Sequence, residues 1–438
     1  MAERPDSPDH QDPPNRLERP DTQTIPTATA APATPNVAGS IGTPLTSSAT
    51  RVVLLGAGSL GKEMVIALQR LSAEVVAVGP DKNAPAMQVA HRAHVCDLLD
   101  SEALLDVLAI ERPHVVVPEA GVMDSSVLGQ IEAGGARIVP SALATQMTMN
   151  RELLRRLLAE DLRLPTPRYR FAGTLVEFEA AVAEVGLPVV VKPVHSAGAA
   201  GHSVVRNVGE LASAWEVAQQ GGWRSDDDDG GLARVIVEEF IDFDAEIQVL
   251  IVRHVAGIVV CPPIETIEEN GFVASWQPAP VWYETGSDTW ERIVEISLKA
   301  ISKLPGNGVF VVELFLKGDE IFLSEVIPRP TGAGLVTLVS QDRCEFAMQA
   351  RAILGLPVVA PVVIPGAARA LWFAGDGAPV FSNLAAALEV PTADLRLYGK
   401  PKGEGLRRVG VAFATGEDTA QARERADACA AAVAVHVG

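Results

Sequence analysis

Residues 308–330 read GVFVVELFLKGDEIFLSEVIPRP, and this stretch indicates the fold of the chain. Two apolar runs flank a Gly-Asp-Glu turn, and each run carries one acid, Glu313 or Glu325. A β-hairpin of this length can place both side chains on one face. Adjacent buried carboxylates repel each other unless a cation lies between them. Since Mg²⁺ typically takes one or two protein carboxylates plus phosphate oxygens, the stretch predicts a magnesium site at Glu313 and Glu325.

A second informative segment, LPVVVKPVHSAGAAGHSVV at residues 187–205, lies far upstream. Its pattern predicts a strand that carries Lys192, then a small flexible loop, then another strand. Such a loop is suited to closing over phosphates with its backbone N–H groups. His195 and His202 flank the loop, and we interpret them as incidental contacts rather than catalysts. Further along, Glu238 and Glu239 end an apolar strand, where they could meet an adenine amino group and a ribose.

The ordered sequence begins with RVVLLGAGSLGKEMVIALQRLSAEVVAVGPD at residues 51–81, which reads as strand, glycine turn, helix and strand. Gly56, Gly58 and Gly61 form a GxGxxG pattern, which on its own suggests dinucleotide binding. The acid expected at the end of the second strand is present as Asp81 but is displaced past a proline. We therefore favour a glycine turn that serves another ligand, and the nicotinamide-dependent oxidoreductase remains an alternative.

Length and composition set the outer bounds. A chain of 438 residues predicts two or three domains. We place a disordered tail at 1–50, an α/β domain at 51–148, a central domain at 149–360 and a small β-rich domain at 361–438. The net charge of −19 argues against nonspecific binding to nucleic acid or anionic membranes. No apolar run reaches the length of a membrane span and no signal-peptide pattern is present, so we expect a cytoplasmic protein.

Basic residues gather in the C-terminal hairpin LRLYGKPKGEGLRRVGVAFATG, residues 395–416. The glycine turn brings Lys400, Arg407 and Arg408 close together. The chain has only 36 basic residues against 55 acidic ones. A local cationic cluster is then a candidate site for a phosphate or a carboxylate.

The order of these motifs resembles one family. GAGSLGKE, APAMQVAHRAHV, TMNRE, VKPV, VEEFIDFDAEI, SWQP, VVELF, LSEVIPRP and YGKP with RRVGVA follow one another as in formate-dependent phosphoribosylglycinamide formyltransferase. The resemblance runs from about Arg51 to the C-terminus. It implies α/β and α+β architecture: an ATP-grasp fold with an N-terminal Rossmann-like (pre-ATP-grasp) domain, a central ATP-grasp domain and a small C-terminal β-rich domain. It also implies ATP and Mg²⁺ as cofactors, and a homodimer.

The resemblance also implies roles for individual residues. Arg151 and Lys192 would act in catalysis and hold the ATP phosphates. The remaining ATP contacts would be Ala197, Gly198, Ala199, Ala200, Gly201, His202, Glu238, Glu239, Phe240, Ile241 and Glu246. The metal ligands would be Glu313 and Glu325, in agreement with their spacing. The substrate positions would be Ser59, Leu60, Glu119, Gly332, Lys400, Arg407 and Arg408.

Three departures from the family pattern bear on the substrate. Ser59 replaces a glutamate that contacts the ribonucleotide in the family, and Gly332 replaces an aspartate that contacts the acceptor. The loop Ala197–Gly201 lacks the family's hydroxyls and lysine, although a backbone nest can hold phosphate without them. A charged hydrogen bond contributes about 1.5–3 kcal/mol, so losing two acids could cost the family's substrate a hundredfold in recognition.

The sequence therefore predicts an ATP-grasp carboxylate–amine ligase. It would form an acyl phosphate from a small carboxylate and transfer the acyl group to an amine, with a substrate altered from glycinamide ribonucleotide. The first alternative is the genuine formyltransferase of purine biosynthesis. Two others come from different classes: the NAD(P)-dependent oxidoreductase named above, and a non-catalytic ATP-binding regulator, suggested by the depleted loop.

Overall fold

The structure is a computed structural model, and it describes residues 40–196, 198–223, 233–268, 271–278 and 287–438. Ala197 and most of the expected N-terminal tail lie outside the described residues. No helix in the described part of the chain is both long and apolar enough to cross a membrane.

The described residues form twenty strands and twelve α-helices. The strands are β1 (Arg51–Leu55), β2 (Glu74–Gly79), β3 (Arg92–Val95), β4 (Val115–Pro118), β5 (Arg137–Ile138), β6 (Tyr169–Ala172), β7 (Val189–Pro193), β8 (Ser203–Val205), β9 (Val235–Glu239), β10 (Ala245–His254), β11 (Gly257–Val260), β12 (Ile264–Glu268), β13 (Phe272–Gln277), β14 (Gly308–Lys317), β15 (Glu320–Ile327), β16 (Gly366–Ala374), β17 (Pro379–Ser382), β18 (Asp394–Leu397), β19 (Leu406–Thr415) and β20 (Ala434–Val437). The helices are α1 (Ser59–Gln69), α2 (Ser101–Glu111), α3 (Leu128–Ala133), α4 (Ala142–Met149), α5 (Arg151–Arg156), α6 (Leu175–Val185), α7 (Leu211–Gly221), α8 (Asp288–Ala300), α9 (Thr337–Ser340), α10 (Glu345–Ile353), α11 (Leu384–Leu388) and α12 (Thr419–Ala432).

The first sheet is parallel, with the strand order β3-β2-β1-β4-β5. Its central strands are buried throughout, as the continuous apolar run Val52–Leu55 predicts. The glycine turn after β1 has a packing reason: a Cβ at Gly56 would lie 2.6 Å from the backbone nitrogen of Ala120. The turn therefore packs against the end of β4, and it places Ser59 and Leu60 at the start of α1.

Two further sheets form the middle of the molecule. A four-stranded antiparallel sheet has the order β6-β9-β7-β8, and a nine-stranded sheet runs β15-β14-β10-β12-β13-β16-β19-β18, with β11 paired to β10. Strands β9 and β10 follow each other in the chain but belong to different sheets. Residues 240–244 therefore cross from one sheet to the other. Strands β16, β18 and β19, from the expected C-terminal domain, extend the large sheet.

The predicted acidic hairpin is present as β14 and β15. Glu313 and Glu325 are directly opposed residues of the two strands, with a register shift between Glu313 and Leu314. Side chains alternate along a strand, and Val312 and Leu314 pack into an apolar core on one face of the sheet. Glu313 consequently lies on the opposite face, which looks toward the four-stranded sheet.

Candidate active site

A small cleft lies between the two central sheets. Its lining combines residues from both sides: Arg151, Leu154, Arg155, Leu158, Lys192, Ile236, Glu238, Ser324 and Glu325. Four of the residues predicted from sequence, Arg151, Lys192, Glu238 and Glu325, therefore meet in one cleft. They come from α5, β7, β9 and β15 respectively.

Glu238 is held by two cations at the back of this cleft. Lys192 Nζ lies 2.8 Å from one of its carboxylate oxygens, and Arg155 pairs with the other. Burial acts to raise the pKa of Glu238, but the charges of Arg155 and Lys192 outweigh it and lower the pKa to about 2. The carboxylate is thus ionised and neutralised internally. Its side chain is engaged in this ion-pair group, and Glu239 pairs with Arg168 at 3.0 Å.

Arg155 is a residue that the sequence reasoning missed. It is 5% exposed, and it also donates hydrogen bonds to the carbonyl oxygens of Leu323 and Ser324 on β15. The arginine thereby ties α5, β9 and β15 together. The available signal was an arginine one helical turn after Arg151, within a leucine-rich segment, because a buried arginine needs anionic or carbonyl partners.

Arg151 holds the loop that follows Lys192. Its guanidinium donates to the carbonyl of Pro193 at 3.1 Å, to Oγ of Ser196 at 2.7 Å and to the carbonyl of Gly198 at 3.3 Å. Gly198 and Gly201 both have positive φ, which glycine tolerates best. His202, at the end of this loop, is neutral, because burial first and then the charges of Lys192 and Arg151 lower its pKa to about 2.

The predicted metal site lies in a cluster of buried carboxylates around Glu313. Burial and the nearby carboxylates of Glu325, Glu268 and Glu246 raise the pKa of Glu313 well above its ordinary value. A bound cation would relieve this repulsion. In the described ranges, no group of three or more His, Cys, Asp or Glu side chains is placed to hold a metal. Two carboxylates completed by phosphate oxygens suit Mg²⁺, so Glu313 and Glu325 fit the ion.

Glu246 faces the same side of the large sheet as Glu313. Its pKa is raised to about 8, mainly by burial and then by Glu268, while Lys192 acts to lower it. Glu268, at the end of β12, was not predicted from sequence. Ile241 is buried, and the ring of Phe240 lies beneath the guanidinium of Arg206 at 5.8 Å. Phe240 and Ile241 belong to the segment that crosses between the two sheets.

A second group of predicted residues gathers beside the first sheet. Glu119 directly follows β4, and its Oε2 is buried without a hydrogen-bond partner among the described residues. Burial raises its pKa to about 8, although the charge of Arg329 acts to lower it. Lys400 lies near Arg408 and Arg407, and burial followed by these two charges lowers its pKa.

Arg408 occupies the space that an acid at position 332 would need. A Cβ on Gly332 would lie 2.6 Å from Nη1 of Arg408. The guanidinium lies over the rings of Phe272, at 5.1 Å, and Tyr398, at 5.9 Å. Its Nη1 is buried and has no hydrogen-bond partner in the described residues. A buried donor without a partner is suited to an anionic ligand.

Family models match three parts of the chain. They are the ribonucleotide synthetase preATP-grasp domain at 49–148, the ATP-grasp domain at 157–346 and "PurT, C-terminal" at 373–433. The carboxyaminoimidazole ribonucleotide synthase from Aspergillus clavatus, solved with ATP, shares the fold. Its TM-score is 0.75 and its identity is 23%, over 88% of this chain and 98% of that one. The fold and the site define the class: the chain is an ATP-grasp enzyme.

Sequence comparison narrows the class to a family. The chain is 51% identical to the formate-dependent phosphoribosylglycinamide formyltransferase of Stenotrophomonas maltophilia strain K279a over 402 residues, which is 91% of this chain and 99% of that protein. A solved "glycinamide-RNase-transformylase T" from Mycobacterium tuberculosis is 32% identical, with a TM-score of 0.70 over 88% of this chain and 100% of that one. The chain belongs to the formate-dependent phosphoribosylglycinamide formyltransferase family. It is an ATP-dependent enzyme that uses Mg²⁺ and forms a C–N bond with release of ADP.

Proposed function

We propose that this chain formylates the amine of glycinamide ribonucleotide, with formate as the carboxylate and ATP as the energy source. The observation that carries this proposal is the 51% identity, over nearly the whole length, to a relative of that name. It favours this activity over the retargeted ligase that Ser59 and Gly332 suggested. The proposed reaction has two group transfers, which the two residue groups of the site would serve in turn.

In the first transfer, a formate oxygen attacks the γ-phosphorus of ATP, and the bond to the β-phosphate oxygen breaks. The products are formyl phosphate and ADP. Lys192 and Arg151 would stabilise the charge that develops on the transferred phosphoryl group. Mg²⁺ held by Glu313 and Glu325 would supply further neutralisation of the phosphates. Lys192 would share its ammonium between the phosphate and Glu238, and Glu238 keeps that ammonium oriented.

The nucleotide base would lie at the crossing between the two sheets. The side chains of Glu238 and Glu239 are already paired, so the backbone of 239–241 would contact adenine, with Ile241 against the ring. Glu246 would contact the ribose. The loop from Gly198 to His202, with Ala199, Ala200 and Gly201, would cover the phosphates through its backbone N–H groups and would exclude water. Ala197 is included in this loop by sequence position alone.

In the second transfer, the amine of the ribonucleotide attacks the formyl carbon, and the bond from that carbon to the phosphate oxygen breaks. The amine loses one proton. Glu119 would accept this proton when it is ionised, because its Oε2 is buried without a hydrogen-bond partner among the described residues. Lys400, Arg407 and Arg408 would bind the ribonucleotide phosphate, with Ser59, Leu60 and Gly332 lining the pocket.

The test is ADP release with formate, with and without glycinamide ribonucleotide, against a panel of amino acids and other small carboxylates. Turnover that needs both formate and the ribonucleotide, with a product one formyl group heavier, would support the proposal. Turnover with another acid–amine pair alone would contradict it.

One observation favours a second candidate, a ligase with a different acceptor. Arg408 fills the space beside Gly332, so the acceptor pocket presents a guanidinium there. An acceptor with its own carboxylate would pair with that group. The same substrate panel distinguishes the two candidates, because the mass of the product identifies both partners.

A cytoplasmic homodimer is also part of the proposal, and the dimer rests on the family alone. Light scattering coupled to size-exclusion chromatography would measure the mass of the particle. A mass equal to a single 46.2 kDa chain across the accessible concentration range would contradict the dimer.

A further inference from the structure

A buried chain of hydrogen bonds joins the metal carboxylate to the segment beside the acceptor pocket. Gln248 is the residue directly opposite Glu313 across β10 and β14, and it is 1% exposed. Its Nε2 donates to Oε1 of Glu313 at 2.8 Å, and its Oε1 accepts from Oγ1 of Thr331 at 2.6 Å. The Thr331 hydroxyl in turn accepts from the backbone N–H of Gly334 at 3.2 Å.

The donor and acceptor roles fix the direction of this chain. The Thr331 oxygen accepts from the Gly334 N–H, and the Thr331 hydroxyl donates to Gln248. Gln248 must then present its carbonyl oxygen to Thr331 and its amide N–H to Glu313. The reverse amide orientation would place a carbonyl oxygen against the Glu313 carboxylate in the ionised form that would bind Mg²⁺. One hydroxyl therefore determines which face of the amide reaches the metal site.

The same segment contacts the acceptor side of the molecule. The backbone N–H of Thr331 donates to Oε2 of Glu345 at 3.2 Å, and Glu345 is fully buried. Glu119 is close enough to Glu345 for its charge to affect it. Gly332, between Thr331 and Gly334, lies against Arg408. Residues 331–334 thus contact the groups around the acceptor and also hold the partner of Glu313.

We infer that Gln248 and Thr331 are positioning residues through which the acceptor-side segment 331–334 sets the orientation of the metal-binding carboxylate of Glu313. Neither side chain is placed at the reacting atoms, so neither is a catalytic residue. The inference deepens the proposed function and rests on it for the identity of the acceptor. Its physical basis is the cost of leaving a buried polar group unpaired. Without the hydroxyl, Gln248 loses its donor and its amide is free to rotate away from Glu313.

The decisive experiment is calorimetric titration of the full-length enzyme with Mg²⁺ and ADP. We expect Thr331→Val to weaken Mg²⁺·ADP binding by roughly tenfold, the usual scale for one buried polar partner lost. Thr331→Ser restores the hydroxyl and should stay within about twofold of the wild type. The matched control is Thr148→Val, because Thr148 is another buried threonine, with a hydroxyl bonded to the carbonyl of Ala144 and no part in the chain.

A double-mutant cycle adds a sharper criterion. Gln248→Met breaks the same chain at its centre and keeps most of the side-chain volume. If both residues act through one path, the double variant should bind Mg²⁺·ADP no more weakly than Gln248→Met alone. Should Thr331→Val fail to fold, Gln248→Met with Thr331→Ser carries the test. If the losses of Mg²⁺·ADP binding free energy in the two single variants add up in the double variant, the inference is overturned.

A second titration uses glycinamide ribonucleotide as the probe. In the wild type, we expect the ribonucleotide to tighten Mg²⁺·ADP binding severalfold, and by linkage the nucleotide should tighten ribonucleotide binding equally. In Thr331→Val, the affinities for Mg²⁺·ADP with and without the ribonucleotide should be nearly equal.

The outcomes separate the two proposals. A folded Thr331→Val with wild-type Mg²⁺·ADP affinity would overturn the inference, whatever the enzyme turns over. Weakened Mg²⁺·ADP binding in a wild-type background that shows no turnover with formate and the ribonucleotide would leave the positioning role in place and contradict the proposed function. In that case the partner found in the substrate panel replaces the ribonucleotide in the second titration.

Discussion

Gly332 and Arg408 share one volume: a Cβ on Gly332 would come within 2.6 Å of Nη1 of Arg408. The glycine has an ordinary helical φ of −64°, so backbone strain does not require it. The guanidinium occupies the space beside this glycine, so a larger side chain at position 332 would displace the end of the Arg408 side chain. The contact links the turn after β15 with β19, two segments about 75 residues apart in the chain, and it lies within the proposed acceptor site.

This contact predicts that Gly332→Asp impairs the acceptor step selectively, even though the family has an aspartate at this position, because in this chain Arg408 already occupies the space. The new carboxylate would pair with Arg408 and withdraw it from the ribonucleotide. We expect the KM for the acceptor to rise by about tenfold or more, with the KM for ATP nearly unchanged. Gly332→Ala is the control, because it adds only the methyl group. If alanine and aspartate act alike, the effect is steric and the charge argument fails. Steady-state kinetics with each substrate varied in turn measures both.

Because Glu313 and Glu325 repel each other, replacing one of them should raise stability and lower activity. Glu313→Gln removes one of two repelling groups, so the metal-free enzyme should melt at a higher temperature at neutral pH. The same change should lower Mg²⁺-dependent ADP release by about a hundredfold or more, because a ligand of the ion is lost. Thermal melts would measure this: Glu313→Gln should have the higher melting temperature in EDTA, and the wild type should have the higher one with Mg²⁺·ADP. A wild type that is the more stable in EDTA would contradict the repulsion.

The ion-pair group of Glu238 predicts an unequal response to removing its two cations. Arg155→Met would leave a buried carboxylate with one partner and should cost about 3 kcal/mol or more of unfolding free energy. Lys192→Met should cost less stability, because the lysine side chain is 15% exposed against 6% for the arginine. It should nevertheless abolish ADP release. Urea denaturation followed by far-UV circular dichroism provides the free energies.

A double variant checks why Arg155→Met loses stability. Arg155→Met combined with Glu238→Gln removes the stranded charge and should recover part of the lost stability. A double variant as unstable as the sum of the single ones would show that packing of Arg155, and not the unpaired carboxylate, was responsible.

Glu119 predicts a pH-dependent stability. Burial raises its folded-state pKa to about 8 from an ordinary 4.5. Between these values the folded protein holds a proton that the unfolded chain has released, so the unfolding free energy falls as pH rises through this window. Glu119→Gln removes the titration. We expect the variant to be more stable than the wild type near pH 8.5 and about equal to it near pH 5. Thermal melts at several pH values measure this. A difference in stability between Glu119→Gln and the wild type that does not change with pH would contradict the raised pKa.

The candidate site divides into a part that the sequence determined and a part that only tertiary structure decided. The direct pairing of Glu313 with Glu325 depends on the register shift between Glu313 and Leu314, because the regular register that begins at Lys317 and Glu320 would pair Glu313 with Ser324. The hairpin itself and the acids it carries are local properties of the strand sequence. The same holds for Lys192 on β7, for the glycine turn after β1, and for the family resemblance that rests on the order of such segments.

Other features depend on packing between distant parts of the chain. The separation of β9 and β10 into two sheets, the neutralisation of Glu238 by Arg155, the bond from Gln248 to Thr331 and the filling of Gly332's space by Arg408 each join segments that no local pattern relates. Local periodicity fixes which face a side chain takes, whereas the partner on that face is set by how the sheets pack. That difference is why candidate residues for the metal and the phosphates could be proposed from the sequence, while the side chains packed against them could not.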